Sequence, residues 1–199
     1  MSPAVVLASK SAARAALLRG AGVSFSVDAA RIDEAAVRDS LRAEGADAAA
    51  AAAALAELKA VQISNRHGGA LVVGGDQILD CDGAWFDKPP DLARARADLM
   101  VLRGRTHHQH SAVCLAPDGS ALWRHGARAE LVMRAFSEDF LDAHLAACGA
   151  DVLACAGAYR LEGPGAQLFS VVRGDYFTIL GLPLLALLGA LREHGVIIA

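Results

Sequence analysis

Three features of the chain predict an α/β fold: a strand–helix–strand opening, a buried β-branched strand starting at Leu71, and later helices whose apolar residues fall at core spacing. Ala4-Val5-Val6-Leu7-Ala8 is a strand candidate, and Ser9-Lys10-Ser11 is the turn out of it. Ser11 suits the N-cap of a helix through Arg14, Leu17 and Leu18 that ends near Gly20 or Gly22. Val23, Phe25 and Val27 alternate with Ser24 and Ser26, the pattern of a half-buried strand. The first turn therefore points free helix amides outward, where they can bind an anion with Lys10 and Arg14 adding charge. The plainer alternative is a capped helix with two solvated cations.

Asp33 and Glu34 begin a polar helix through Arg42, and the alanines from Ala48 to Ala54 predict another helix after Asp47. Lys59 shares a helix stripe with Leu55 and Ile63, so it either snorkels outward, the commoner outcome, or points into a cleft. Leu71, Val72 and Val73 form a short buried strand, followed by Gly74, Gly75 and Asp76 where the strand is expected to leave the core. Asp82-Gly83 reads as a hairpin turn into Ala84-Trp85-Phe86, carrying Lys88, held by Pro89 and Pro90, back toward the level of Asp76. An acid and a rigidly held lysine at a strand end suit phosphate and metal.

From Asp91 a helix presents Leu92, Ala95, Leu99 and Leu102 on one face and stops at Gly104. Strands follow at about 106–115 and 121–134, joined by Pro117-Asp118-Gly119. His108 and His110 share a face of the first, but no carboxylate or cysteine nearby completes a metal-ligand set. Ser137 caps a helix to Cys148. Ala156 to Gly165 suits a wall against which a flat ligand lies, with Tyr159 stacking and Glu162 accepting hydrogen bonds; an ordinary loop is the alternative. Gly181-Leu182-Pro183 leads into a structural helix with Leu184, Leu187, Leu188 and Leu191 at core spacing.

The 199 residues suffice for one domain, or one domain with two lobes, and 54% hydrophobic with 21% charged residues excludes disorder. A net charge of −3 without a basic run argues against duplex nucleic acid as a partner. Cys81, Cys114, Cys148 and Cys155 form no CxxC pair and read as reduced packing residues of a cytoplasmic protein. No secretory signal is evident, and the apolar stretch Ile179 to Leu191, broken by Gly181, Pro183 and Gly189, is too short to span a bilayer. Neither GxGxxG nor GxxxxGK[ST] occurs, which excludes Rossmann and P-loop nucleotide binding.

Taken together, six stretches resemble the Maf family of nucleoside triphosphate pyrophosphatases. Leu7-Ala8-Ser9-Lys10-Ser11-Ala12-Ala13-Arg14 is similar to the family's LASxSPRR, and Gly74-Gly75-Asp76-Gln77 to its G-[AS]-D-[TQ]. Asp87-Lys88-Pro89 resembles xKP and Gly104-Arg105-Thr106-His107 resembles GxxH. Ala156-Gly157-Ala158-Tyr159 and Gly181-Leu182-Pro183-Leu184 resemble AGxY/F and GLPL. The resemblance covers the chain nearly end to end. It implies a single Maf-like domain over residues 1–199, with an elongated mixed sheet flanked by helices, a deep cleft between two lobes, and commonly a homodimer.

The resemblance also implies cleavage of a nucleoside triphosphate to the monophosphate and pyrophosphate, dependent on Mg²⁺ or Mn²⁺, with house-cleaning of the nucleotide pool and a link to septum formation. Asp76 then matches the catalytic acid, Arg14, Lys59 and Lys88 the phosphate-handling cations, and Glu34 a further acid near the metal. Ser9, Lys10, Ser11, Gln77, Tyr159 and Glu162 are the expected substrate contacts. Ala12 and Ala13 replace the family's Pro-Arg, so one arginine is absent. Gln77 and Glu162, where the thymidine and uridine triphosphate branch has Thr and Gln, resemble the 7-methyl-GTP branch, although that branch often has Trp at the position of Ala13. A carboxylate can accept two N–H donors from a guanine edge, and an aromatic face favours a cationic methylated base. Two rivals stand beside this expectation. Ile78-Leu79-Asp80-Cys81-Asp82-Gly83 imitates the DxDG of haloacid-dehalogenase-type phosphatases, and a nucleotide-binding regulatory protein with little turnover would share the same residues.

Overall fold

Val5–Leu7 (β1) is buried along its whole length, as a strand covered on both faces must be. It pairs in parallel with Leu71–Cys81 (β3), in the register Val5↔Leu71 to Leu7↔Val73, and on its other edge with Ser26–Val27 (β2). Parallel neighbours need crossovers, supplied by the helix Ala12–Gly20 (α1) and by Glu34–Ala43 (α2) with Ala48–Ser64 (α3). This computed structural model describes residues 3–198. Beyond β3 come Ala84–Phe86 (β4), the helix Leu92–Leu102 (α4), Thr106–Ala116 (β5), Trp123–Met133 (β6), the helix Glu138–Cys148 (α5) and Phe169–Arg173 (β7). The helices Tyr176–Ile179 (α6) and Leu184–Glu193 (α7) close the order. The seven strands form one mixed sheet in the order β2-β1-β3-β5-β6-β7, with β4 beside β3, so the expected mixed α/β architecture is present.

The chain divides into two compact units, one from residues 1–77, 110–128 and 175–199, the other from residues 78–109 and 129–174. In the first, Val5, Leu7, Leu18, Val73, Val113, Leu115, Leu182 and Leu187 pack on one side of the strands, and Val6, Ala8, Ile63, Ala70 and Val72 pack together in a second cluster. The alanines of α3 serve this packing. A Cβ at Gly74 would lie 2.1 Å from Ala56 O and 2.6 Å from Ala60 N, so the helix backbone rests directly on the strand.

The second unit is built on Leu79, Leu99, Leu102, Phe136, Leu141 and Leu168, all buried. Its hairpin is the one expected: Asp82 (φ 53°) and Gly83 (φ 82°) turn β3 into antiparallel β4, with Leu79 opposite Phe86. Among the described residues no helix is long and apolar enough to cross a membrane.

Several expectations are corrected. The strand from Leu71 does not end at Gly74-Gly75; β3 runs eleven residues, so Asp76 sits inside it rather than at its end. The glycines mark close approach by α3 and by Arg14, not a break. The alternation Val23–Val27 becomes a two-residue strand, because Val23 turns into the core while Ser26 and Val27 alone reach β1. Leu92, placed on the buried face of α4, is 42% exposed, because it opens the helix ahead of the buried Ala95 and Leu99. Strand β7, helix α6 and the 3₁₀ turns at Gly149–Ala154, Ala156–Ala158 and Pro164–Leu168 were not anticipated.

Candidate active site

The turn after β1 builds the first wall. Ser11 caps α1 by accepting from Arg14 N at 3.3 Å, and Ser9 Oγ accepts from Ser11 N at 3.2 Å. Ser9 is buried, Ser11 half-buried and Lys10 exposed. The Arg14 side chain lies across Gly75, where a Cβ would come within 3.3 Å of its Nε. Its Nη1 donates to Ser9 Oγ at 3.1 Å and its Nε to Gly181 O at 2.7 Å. Among the described residues Nη2 donates to no protein group. Burial lowers the Arg14 pKa from its ordinary value, while the charges of Asp76 and Glu34 oppose that shift.

Because Gly74 admits the α3 backbone, Lys59 reaches Asp76 instead of solvent. Lys59 is 5% exposed, so the snorkelling outcome is not the one adopted. Its Nζ lies 2.6 Å from Asp76 Oδ1 and 2.8 Å from Glu34 Oε1. Glu34 comes from the first turn of α2, where Asp33 caps the helix by accepting from Ala36 N. Burial alone would raise the Glu34 pKa, but the Lys59 hydrogen bond and the charges of Lys59, Arg14 and Arg38 together hold it below the ordinary value. Asp76 is 3% exposed, and its Oδ2 is buried with no hydrogen-bond partner.

Two acids and two cations thus meet in one place, from four elements. Buried ions are costly unless paired, and even paired they are a poor source of stability. The buried Asp76 Oδ2 is the atom of this cluster left without a partner. Among the described residues no group of three or more His, Cys, Asp or Glu could hold a metal ion by itself. The adjacent Gln77 donates its Nε2 to Thr178 O at 3.1 Å and to Ile179 O at 2.9 Å.

Of the residues singled out from the sequence, Ser9, Ser11, Arg14, Glu34, Lys59, Asp76 and Gln77 are gathered in the first unit, with Lys10 exposed on the same turn. Lys88, Tyr159 and Glu162 belong to the second unit. Lys88 is exposed beside the buried Pro89. The Tyr159 ring, expected as an open stacking face, is only 4% exposed and packs edge-on against Phe169 at 4.8 Å. Its hydroxyl takes Gln109 Nε2 at 2.8 Å and His107 Nε2 at 3.0 Å. Burial raises the Tyr159 pKa, so the phenol stays protonated. Glu162 is held by Arg160 Nε at 3.1 Å, and Arg160 also pairs with Asp151 at 3.1 Å.

The sequence reading missed Gly181 O as the acceptor for Arg14. The GLPL stretch is legible, but spacing carries no sign of which backbone carbonyl a distant arginine will reach. The DxDG imitation dissolves into the hairpin, since Asp80 Oδ1 accepts from Gly83 N at 3.4 Å and Asp82-Gly83 form the turn itself.

A mixed sheet with a buried acid–cation cluster beside a strand–turn–helix places the chain in the α/β class. The model of the family described as Maf-like protein matches residues 4–194, and the chain belongs to that family. The nucleoside triphosphate pyrophosphatase of Paramagnetospirillum magneticum is 56% identical over 190 residues, covering 96% of this chain and 98% of the relative. That of Granulibacter bethesdensis is 54% identical, covering 96% of each. The 7-methyl-GTP pyrophosphatase of Rhizobium johnstonii is 48% identical over 197 residues, 99% of each chain.

Proposed function

We propose that this chain is a nucleoside triphosphate pyrophosphatase that hydrolyses the α–β anhydride to the monophosphate and pyrophosphate, with a methylated guanine nucleotide as its preferred class of substrate. The observation that carries it is Lys59 Nζ, buried between Asp76 and Glu34 at 2.6 and 2.8 Å, beside the orphaned Asp76 Oδ2. The names of the relatives support the reaction, and 7-methyl-GTP pyrophosphatases occur among them.

Attack on the α-phosphorus requires an oriented water, neutralised phosphate charge and an aligned leaving group, so the protein's part is mostly positioning and electrostatics. Arg14, with Nη2 unengaged by protein, is placed to bind phosphate oxygens, and the Lys59 ammonium to offset negative charge beside them. Ser9 and Ser11 fix the turn that carries the free amides of α1. On the family resemblance, Lys88 adds a phosphate contact and Glu162 a base contact.

A divalent cation fits the donor set, because Mg²⁺ is commonly held by one or two carboxylates and substrate phosphates rather than by an all-protein cage. Asp76, through Oδ2, and Glu34 would hold it, and when bound it activates water and offsets phosphate charge. Homodimerisation and a link to septum formation follow from the resemblance; light scattering tests the first and a septation phenotype on overexpression the second.

The test is a product assay over ordinary and 7-methylated nucleoside triphosphates, with Mg²⁺ or with a chelator. The expected result is metal-dependent release of pyrophosphate and monophosphate, fastest with 7-methyl-GTP. Inorganic phosphate from monoesters would point to the phosphatase rival. Tight nucleotide binding without turnover would point to the regulatory one.

A further inference from the structure

Residues 175–181 are braced by one side chain of their own and tied to the rest of the first unit by side chains from three places. Asp175 Oδ2 accepts from Thr178 N and from Thr178 Oγ1, both at 2.9 Å. Ser111 on β5, 1% exposed, donates its Oγ to Thr178 O at 2.7 Å. Gln77 Nε2 bridges Thr178 O and Ile179 O, and Arg14 Nε donates to Gly181 O at 2.7 Å. Gly181 holds φ at +97°, and a Cβ there would sit 3.3 Å from Gln77 Oε1 and 3.5 Å from Arg14 Nη2.

This geometry constrains both polar side chains. Two carbonyl oxygens can only face donors, so the Gln77 amide turns its NH₂ to Thr178 O and Ile179 O and keeps Oε1, beside Gly181, as its acceptor. For Arg14, Gly181 O and Ser9 Oγ occupy the Nε and Nη1 positions of the planar fork, which leaves Nη2 to meet an anion. A guanidinium held through two of its three nitrogens loses little freedom on binding, and its third nitrogen is fixed in position.

We propose that residues 175–181 are a positioning strap, pinned by Ser111, that aims Arg14 at the substrate phosphates and restricts Gln77 to accepting hydrogen bonds. Ser111 and Gly181 are then positioning residues that never touch the substrate. The aim at phosphate rests on the pyrophosphatase function proposed above.

The experiment measures binding of inorganic tripolyphosphate to the full chain by calorimetry with Mg²⁺ present. Wild type is compared with Ser111→Ala, Ser111→Cys and Gly181→Ala, each alone and combined with Arg14→Ala. Each single variant is expected to weaken binding about tenfold, the scale of one misplaced hydrogen-bonding group. The penalty should vanish in the Arg14→Ala background, which a merely structural defect would not do. Because Gly181→Ala places a side chain in a left-handed backbone, the Ser111 pair decides the matter should that variant misfold. Wild-type affinity in both Ser111 variants, or an undiminished penalty without Arg14, overturns the strap. Arg14-dependent tripolyphosphate binding by a protein that releases no pyrophosphate would instead sink the function and leave the strap standing. Wild-type affinity unchanged by Arg14→Ala would overturn the strap's aim.

Discussion

In the first unit Arg14, Lys59, Asp76 and Glu34 gather four ionisable groups around a strand interior, whereas in the second unit His107, Gln109 and Tyr159 are buried together without any charge. Each cluster leaves atoms unsatisfied: Asp76 Oδ2 in one, His107 Nδ1 and Gln109 Oε1 in the other. The cost differs sharply. A buried ion costs several kcal/mol even after relaxation, while an unpaired neutral group costs about 1–3 kcal/mol. A charged cluster of this kind is retained for what it does to a ligand, and a neutral one for what it does to the fold. Changes in the first cluster should therefore cost activity more than stability, and changes in the second the reverse.

The largest expected effect is that of Asp76→Asn. Asn keeps an oxygen that can accept from Lys59 Nζ, so the packing around β3 survives. It removes the negative charge that would hold a cation and polarise the site. Pyrophosphate release should fall by at least about a thousandfold, the scale seen when a principal electrostatic group is lost. The thermal midpoint should stay within a few degrees of wild type. Retained turnover, or a collapse of stability with it, would erase the distinction between the two clusters.

The charged cluster was partly legible in the sequence and its assembly was not. Asp76 and Arg14 stand in motifs and Lys59 on a helix stripe, while Glu34 comes only with the family resemblance. What joins Lys59 to Asp76 is a missing Cβ at Gly74, which draws α3 onto the strand, and no side-chain period records that. The same glycine pair made an eleven-residue strand look like a three-residue one, since a local break signal was overridden by pairing with β5 and, at the far end, with β4. The hairpin at Asp82-Gly83 was legible because a two-residue turn is a local property. Strand β7 depends on a partner about forty residues away in β6, and its mostly exposed residues show no core pattern. Tyr159 misled for a related reason: an aromatic among glycines reads as open, but its hydroxyl is claimed by a strand some fifty residues earlier.

The neutral cluster makes a prediction about pH. Gln109 Nε2 donates to the Tyr159 oxygen, and the same hydroxyl pairs with His107 Nε2 at 3.0 Å in a site that holds no countercharge. Burial, with a smaller contribution from His108, pushes the His107 pKa down to about 4. Its folded value therefore lies below the unfolded value near 6.5, and the unfolded chain binds the extra proton between them. The corresponding stability is fully present above about pH 6.5 and is lost as pH falls toward 4, a change on the order of 3 kcal/mol. Urea unfolding of wild type and His107→Gln across that interval measures it. The expected result is a wild-type curve that falls more steeply by roughly this amount, while kcat at pH 7.5 changes by only a few fold. Parallel curves would mean that the ring titrates as it does in water and that the cluster is not neutral by necessity.

The smallest effect concerns Glu162, which shares the second unit with the neutral cluster but carries a charge at the surface, balanced by Arg160. Its side chain is 28% exposed, so its worth to the fold is that of a solvent-screened pair and close to nothing. Any larger effect on turnover must come from contact with substrate. Arg160 Nε engages Oε1 at 3.1 Å, which leaves Oε2 to accept from a base, and a guanine edge offers two adjacent N–H donors where a uracil edge offers one between two carbonyls. Glu162→Gln keeps the shape, halves the acceptor capacity and removes the charge. The ratio of kcat/KM for 7-methyl-GTP over UTP should then drop by about tenfold, with the unfolding midpoint unmoved. An equal fall for both nucleotides would remove Glu162 from base recognition and return it to the ion pair with Arg160. A fall in stability instead would place this residue with its buried neighbours and extend the structural role of the second unit to its surface.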